Sequence, residues 1–144
     1  MLSQRAHYAL RALLIIAAHG AQAPMRTPRI AKAAHVSSKF LEQILLELRK
    51  AGILQSFRGR TGGFILGRPA GEISFADIVK VIDGSLALSP CVCDVSYARC
   101  SDCFDESFCE IRRALVSAND LTVSVLKSYD LESAAKRMQA AGKL

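Results

Sequence analysis

Five cysteines occur in this 144-residue chain, and all of them fall within nineteen consecutive residues. A short loop this rich in thiols can bring several sulfurs together with little ordering of the backbone, as an iron-sulfur cluster or a zinc ion requires. An odd number of cysteines does not suit a structural disulfide framework. The spacing therefore predicts metal ligation or thiol chemistry at Cys91, Cys93, Cys100, Cys103 and Cys109.

Charges within this cysteine loop (residues 91–109) favour metal ligation over an activated thiol. Arg99 is its one basic residue, whereas carboxylates stand at Asp94, Asp102, Asp105 and Glu106, with Glu110 next to it. Nearby carboxylates disfavour a bare thiolate, which a bound cation or cluster would stabilise. All-cysteine zinc sites usually carry two CxxC pairs, which the loop does not supply. An iron-sulfur cluster is therefore the first expectation, with a disulfide or other thiol switch and a zinc site as alternatives.

The sequence offers little for catalysis. It shows no Ser-His-Asp or paired-carboxylate arrangement and no phosphate loop, and the CxxC pair at residues 100–103 lies between predicted helices rather than in a βαβ unit. We expect neither an enzyme nor a small-molecule substrate. A cysteine-based redox protein or electron carrier is a distant alternative.

The basic charge belongs to the first half of the chain. Residues 1–72 hold eleven Lys or Arg against three Glu, whereas residues 73–144 hold eight against ten acidic residues. A basic half joined to a mildly acidic half is typical of a protein that meets a polyanion at one end. A merely soluble basic surface is the alternative.

A helix-turn-helix is predicted in the basic half. Apolar residues recur at helical spacing from Ser3 to His19, and Thr27-Pro28 indicates a cap and first position for a short helix from Arg29 to Ala34. After a turn at His35-Val36, Ser37 is the expected cap of a helix whose apolar stripe is Leu41, Ile44, Leu45 and Leu48.

A basic hairpin follows this helix pair. Residues 53–57 and 64–66 are predicted strands, joined by the glycine-bearing loop 58–63. A helix-turn-helix followed by such a wing predicts a winged-helix DNA-binding unit, although ordinary surface helices and hairpins share the spacing. Glu42 would accept a hydrogen bond from the amino group of cytosine and so favour that base. The glycines of the wing loop would allow the backbone to approach DNA closely. The candidate DNA-binding residues are Arg29, Ser37, Ser38, Lys39, Glu42, Gln43, Arg49, Arg58, Arg60, Thr61 and Gly62.

The second half predicts a sensor and a dimerisation element. Pro69 to Glu72 is the expected linker, and Ser74 caps a predicted helix over 75–83. After the cysteine loop, residues 109–129 have the spacing of a long helix that covers a partner, and a short helix is expected from Leu131 to Ala140. The predicted fold is mainly α with a small β-hairpin wing, divided into a winged-helix DNA-binding domain (1–72) and a sensor and dimerisation region (73–144).

Four segments carry a family resemblance. The sequences at 7–13, 41–45, 48–54 and 58–64 (HYALRAL, LEQIL, LRKAGIL and RGRTGGF), in that order, resemble the Rrf2 family of winged-helix regulators, and the likeness covers nearly the whole chain. It implies a homodimer with a long crossing helix that binds a pseudo-palindromic operator in double-stranded DNA. Whether the DNA-bound form is a repressor or an activator stays open.

The resemblance also implies a ligand set. Cluster-binding members use three cysteines, the last two separated by five residues, and Cys103 and Cys109 match this spacing. Cys93 or Cys91 would be the third, with Cys100 as a further candidate. Arg112 replaces the histidine that IscR-like members place after the last cysteine. The position at which other members recruit an acidic ligand from the partner is His7 here, and because imidazole is a suitable ligand for iron, His7 is the expected fourth ligand. A 2Fe–2S cluster is expected, or a 4Fe–4S cluster.

A cytoplasmic location is expected, without membrane contact. The longest apolar stretch, Ala12 to Ala18, is too short to span a bilayer. Arg5, His7 and Arg11 interrupt the start of the chain where the apolar part of a leader would lie.

Overall fold

The computed structural model describes residues 2–20 and 23–143, and this part of the chain is mainly helical with one hairpin, which confirms the predicted fold class. The elements in chain order are α1 (Gln4–His19), α2 (Thr27–Ala34), α3 (Ser38–Lys50), β1 (Leu54–Phe57), β2 (Gly63–Leu66), α4 (Phe75–Asp83), α5 (Glu110–Ser128) and α6 (Leu131–Ala140). Short 3-10 turns lie at Ala70–Glu72, Pro90–Val92 and Glu106–Phe108.

Serine hydroxyls fix the start of three helices. Ser3 accepts a hydrogen bond from the Ala6 N–H, and Ser37 accepts one from the Phe40 N–H. Ser74 forms a full capping box, because its hydroxyl accepts from the Asp77 N–H while the Asp77 carboxylate accepts from the Ser74 N–H. These bonds satisfy amide groups that a helix start otherwise leaves unpaired. The predicted caps at Ser37 and Ser74 are confirmed.

The start of α2 differs from the prediction. Thr27 is the first residue of the helix rather than its cap, and the cap position belongs to Arg26. The backbone is extended through Met25, which forms an isolated bridge to Phe64 at the wing, and the Arg26 carbonyl accepts from the N–H groups of Arg29 and Ile30. The helix therefore begins as soon as the chain leaves the wing.

The wing is an antiparallel hairpin. Leu54 pairs with Leu66 and Phe57 with Gly63, so each strand has four residues, close to the predicted ranges. Met25 pairs with Phe64 on the outer side of β2 through an isolated antiparallel bridge, which was not predicted. The hairpin is thus attached to the helix-turn-helix on both sides.

One hydrophobic core joins the two halves of the sequence. The predicted stripe of α3 is buried, and α4 contributes Ile78 and Val79 to the same cluster. Helix α1 packs against α2, α3, α4 and α6. The proposed division at residue 72 therefore separates regions that share their core, and it stays a prediction.

Two further contacts fasten α1 to its neighbours. The Ser3 N–H donates to Asp83 Oδ2 at 2.9 Å and its hydroxyl donates to Oδ1, which ties the start of α1 to the end of α4. Arg5 pairs with Glu47 of α3 at 2.6 Å. Helix α1 thus contacts both α4 and α3, which is the predicted recognition helix of the helix-turn-helix.

Across residues 2–20 and 23–143, no helix combines the length and the apolar character that crossing a bilayer requires.

The cap of α6 gives a stability test. The Ser133 N–H donates to the Asp130 carboxylate at 2.7 Å, and this backbone bond, followed by one from the Ser133 hydroxyl, lowers the Asp130 pKa. Asp130→Ala should therefore lower the free energy of unfolding by about 1 kcal/mol at pH 7. Because the folded-state pKa is depressed, this contribution is present above the ordinary Asp pKa, about 3.9, and is lost as pH falls through the lower folded value.

Urea unfolding at neutral and acidic pH measures the effect. Asp130→Asn is the matched control, because asparagine caps nearly as well without a titrating charge. It should retain most of the stability while losing the pH dependence at this site. Equal stability of Asp130→Ala and the unaltered protein at pH 7 would contradict the assignment.

Candidate DNA interface and cysteine loop

Helix α3 presents its polar side to solvent. Ser38, Lys39, Glu42 and Gln43 are exposed, whereas the apolar stripe on the other side is buried. Ser37 is also exposed, but its hydroxyl is used by the cap bond to Phe40. A helix held by an apolar back, with its polar amino-terminal turns in solvent, has the arrangement needed for entry into a major groove.

The tip of the wing carries exposed basic side chains beside α3. Arg58, Arg60 and Thr61 are exposed, as predicted for groups that meet DNA. Gly62, in contrast, is buried, and a Cβ added there would lie 2.3 Å from the Phe57 carbonyl oxygen. We therefore assign Gly62 a part in shaping the wing rather than in open contact with DNA.

A groove lies between the start of α2 and the wing. Arg26 and Arg29 line it together with Thr61, and the Arg26 guanidinium donates to the Arg60 carbonyl. Two cationic side chains beside the amino terminus of a helix form a favourable environment for a phosphate. Arg26 was missed from sequence, although a basic residue next to a predicted helix start is a signal that could have found it.

Arg49 has a structural partner as well as an exposed position. Its Nη1 donates to the Ser56 hydroxyl at 3.1 Å, which links the end of α3 to β1. Arg49 therefore holds the wing against the recognition helix, and its predicted contact with DNA stays untested.

Two residues at the start of α5 organise the cysteine loop. Cys109 is the cap of α5, and its sulfur accepts from the Arg112 N–H at 3.4 Å. The Arg112 Nε donates to the Cys91 carbonyl at 3.1 Å. Arg112, which cannot serve as a metal ligand, thus holds the backbone of Cys91 close to the start of α5.

Three other thiols influence Cys100. Its pKa is raised, first by a hydrogen bond with the Cys91 thiol and by the charge of that group, then by desolvation and by the charges of Cys103 and Cys109. Cys91 is buried, whereas Cys100 is exposed. Cys91, Cys103 and Cys109 therefore lie within electrostatic range of Cys100.

Cys93 has separate surroundings. It is buried, and its pKa is lowered to about 7 by hydrogen bonds from the Ser85 hydroxyl, from the Ser96 hydroxyl and from the backbone near Ser96. The Ser96 N–H lies 3.3 Å from the sulfur. The groups that face this sulfur are neutral donors rather than carboxylates.

The thiols are gathered without forming a site for a single metal ion. Within residues 2–20 and 23–143, no three His, Cys, Asp or Glu side chains are placed to hold one ion together. An iron-sulfur cluster distributes its cysteine ligands over more than one iron atom, so it does not require three ligands to meet at a single ion. His7 is exposed on α1, which packs on α2, α3, α4 and α6. Its predicted role as a ligand stays untested.

The fold and the exposed basic face define a winged helix-turn-helix transcription regulator, not an enzyme. The chain belongs to the Rrf2 family: the family model described as an iron-dependent transcriptional regulator matches residues 2–137. The resemblance found in the sequence is confirmed.

Individual relatives agree with this assignment. The rrf2-like HTH-type transcriptional regulator of Rhodobacter capsulatus is 37% identical over 145 residues, which cover 99% of this chain and 94% of that protein. The structure of CymR (YrzC), the global cysteine regulator of B. subtilis, has a TM-score of 0.79 at 27% identity and covers 95% of this chain and 97% of its own. The structure of T. potens IscR has a TM-score of 0.75 at 28% identity, with 97% and 90% coverage.

Proposed function

We propose that this regulator acts in the cytoplasm as a homodimer, binds an operator in double-stranded DNA, and senses iron or redox state through an iron-sulfur cluster held by the cysteine loop. The observation that carries the sensing role is that Arg112 bonds both the Cys109 sulfur and the Cys91 carbonyl, which brings these two cysteines together at the start of α5. Cys100 lies within electrostatic range of both and of Cys103. Thiolates are the ligands that iron-sulfur clusters use. The iron-dependent description of the matching family model supports the same reading.

The ligand set we propose is Cys91, Cys103 and Cys109, with Cys100 or the partner's His7 as the fourth. Of the two candidates for the first position, Cys91 is favoured because Arg112 holds its carbonyl at the start of α5, whereas the Cys93 sulfur accepts from the Ser96 N–H. A 2Fe–2S cluster or a 4Fe–4S cluster would use such a set. When bound, it would supply a group that gains or loses electrons or is lost to oxidants.

The dimer is proposed to form along α5. This helix has nineteen residues, none of them buried, and its apolar side chains Ile111, Leu121 and Val125 are more than half exposed. An apolar stripe on a long surface helix is typical of an interface. Two copies paired in this way would present two recognition helices to the half-sites of one operator.

A continuous set of contacts connects the loop with the recognition helix. Cys109 caps α5, which packs on α4, and the end of α4 at Asp83 binds Ser3 of α1. Helix α1 in turn contacts α3 through Arg5 and Glu47. Movement of the Cys109 sulfur would break its bond to the Arg112 N–H in the first turn of α5. Coupling of about 1 to 3 kcal/mol is common in such systems.

Iron and acid-labile sulfide content, with a visible absorption spectrum, tests the proposal on protein purified without oxygen. The unaltered protein should contain iron and sulfide, and Cys103→Ser should lose both together with the charge-transfer bands. Cys93→Ser is the matched control and should retain them, because the Cys93 sulfur faces away from the group. Absence of iron and sulfide from the unaltered protein, with DNA binding intact, would contradict a cluster sensor.

A thiol switch between Cys91 and Cys100 is the second candidate, because the Cys91 thiol is the first cause of the raised pKa of Cys100. Diamide would oxidise the two thiols to one disulfide and take up two electrons and two protons. Mass spectrometry of the metal-free protein should then find the 91–100 link, and operator affinity should change only in protein able to form it. Cys100→Ser protein that still responds to diamide would contradict this candidate.

A further inference from the structure

A cavity of about 350 Å³ lies between α4, the segment that leads into the cysteine loop, and α5. Its polar wall includes Lys80, Ser85, Asp94, Asn119 and Lys127. Neither the DNA interface nor the group of four thiols uses these residues. The volume suits a small organic molecule with several polar groups.

Several polar groups of this cavity have no partner. The Asn119 Oδ1 is buried and accepts no hydrogen bond from residues 2–20 or 23–143, and it is the one side-chain atom in that condition there. The ammonium groups of Lys80 and Lys127 also form no ion pair with this part of the chain. A buried acceptor without a donor is unfavourable, so the wall lacks a donor for Asn119. Lys80 and Lys127 are exposed and free to pair with an anion, and Asp77 and Asp94 are the carboxylates of the same wall.

The cavity does not lie on the proposed dimer face. On a helix of 3.6 residues per turn, Asn119, Val123 and Lys127 share one side, whereas Leu121 and Val125 point away from it. Asn119 and Val123 line the cavity, whereas Leu121 and Val125 are largely exposed. A second copy packed on the exposed apolar stripe would therefore leave the cavity open to a ligand.

We propose that this cavity binds a small carboxylate that carries an adjacent hydrogen-bond donor, the chemistry shared by α-amino acids and α-hydroxy acids. The carboxylate pairs with Lys80 and Lys127, and the amino or hydroxyl group donates to Asn119 Oδ1. Asp94 at the exposed rim adds a negative group that favours the ammonium of an amino acid. The ligand is an effector rather than a substrate, because the chain belongs to a family of transcriptional regulators.

The same cavity wall touches the sensor. Ser85 lines the cavity, and Val92, which lies between Cys91 and Cys93, forms another part of the wall. Occupation of the cavity would therefore act on the first residues of the cysteine loop. Binding itself does not require the cluster, so the iron measurement and the ligand measurement can fail independently.

Thermal unfolding of the dimeric protein with single probes tests the site. The probes are the twenty protein L-amino acids, L-lactate and L-malate, and each is compared with a carboxylate of similar shape without the donor, such as propionate for alanine and lactate or succinate for aspartate and malate. At least one donor-bearing acid should raise Tm by about 4 °C or more at saturation. Whether the responding probe is an amino acid or a hydroxy acid identifies the source of the donor.

Variants of the cavity decide whether the response belongs to this site. Asn119→Ala should abolish the Tm response while leaving the Tm of the ligand-free protein unchanged or higher, because it removes an unpaired buried acceptor. Lys80→Ala with Lys127→Ala should abolish it too, whereas Lys136→Ala, outside the cavity, should retain it. The proposal would be overturned if no probe raised Tm, or if the acids without a donor raised it equally. It would also be overturned if Asn119→Ala kept the response, or if that variant had a lower Tm without ligand.

Discussion

Replacing Leu121 and Val125 by glutamate should give a folded monomer whose affinity for operator DNA is lower by about 100-fold or more. These side chains are 68% and 56% exposed, so the substitution removes little from the core of a single copy. In a dimer their apolar stripe would be desolvated, and two buried carboxylates facing two more across a symmetric interface would be strongly unfavourable. Loss of the dimer converts linked binding of two half-sites into independent binding of one.

Light scattering gives the mass, and titration of a palindromic operator at fixed salt gives the affinity. Ala140→Glu is the control, since it adds a carboxylate at an exposed position of a different helix, α6, and should leave both quantities nearly unchanged. Retained helical content in the double variant separates loss of the interface from unfolding. A double variant that remains dimeric would place the interface elsewhere and remove the basis for the proposed arrangement on DNA.

Sequence reasoning worked best where one local interaction determines structure. Ser74 and Asp77 form a capping box that depends on residues three apart, and the stripe of α3 needs only helical periodicity. The start of α2 was placed wrongly because its cause is not local. Met25 is extended by its bridge to Phe64, almost forty residues later, and Arg26 then takes the cap position.

The cysteine loop shows the same limit more strongly. The spacing of Cys103 and Cys109 indicated a ligand pair, but the choice between Cys91 and Cys93 depends on which way each sulfur points. Cys91 lies within the Pro90–Val92 turn, where Arg112 bonds its carbonyl, whereas Cys93 follows the turn and its sulfur accepts from the Ser96 N–H. Neither the Ser3 contact with Asp83 nor the cavity beside Asn119 has a sequence signal, because both join residues from distant elements.

Gly62→Ala should weaken operator binding by more than about 10-fold, because it displaces the wing that carries Arg58 and Arg60. The new Cβ would stand 2.3 Å from the Phe57 carbonyl oxygen and 2.9 Å from the Arg58 carbonyl carbon, which are backbone atoms. Phe57 is paired with Gly63 across the hairpin, so relief requires the strands to separate at the tip. A forced contact of this kind costs about 1 to 3 kcal/mol.

Gly59→Ala distinguishes this steric effect from ordinary loss of a glycine. Its Cβ meets no atom within 4 Å, and only its φ of +100° opposes the substitution. We therefore expect a smaller cost, about 1 kcal/mol. Thr61→Ala, at an exposed position next to Gly62, should leave stability unchanged and reports only a lost side-chain contact. Operator binding by Gly62→Ala that equals that of Thr61→Ala would show that the wing tolerates displacement, and the basic tip would then need no fixed position on DNA.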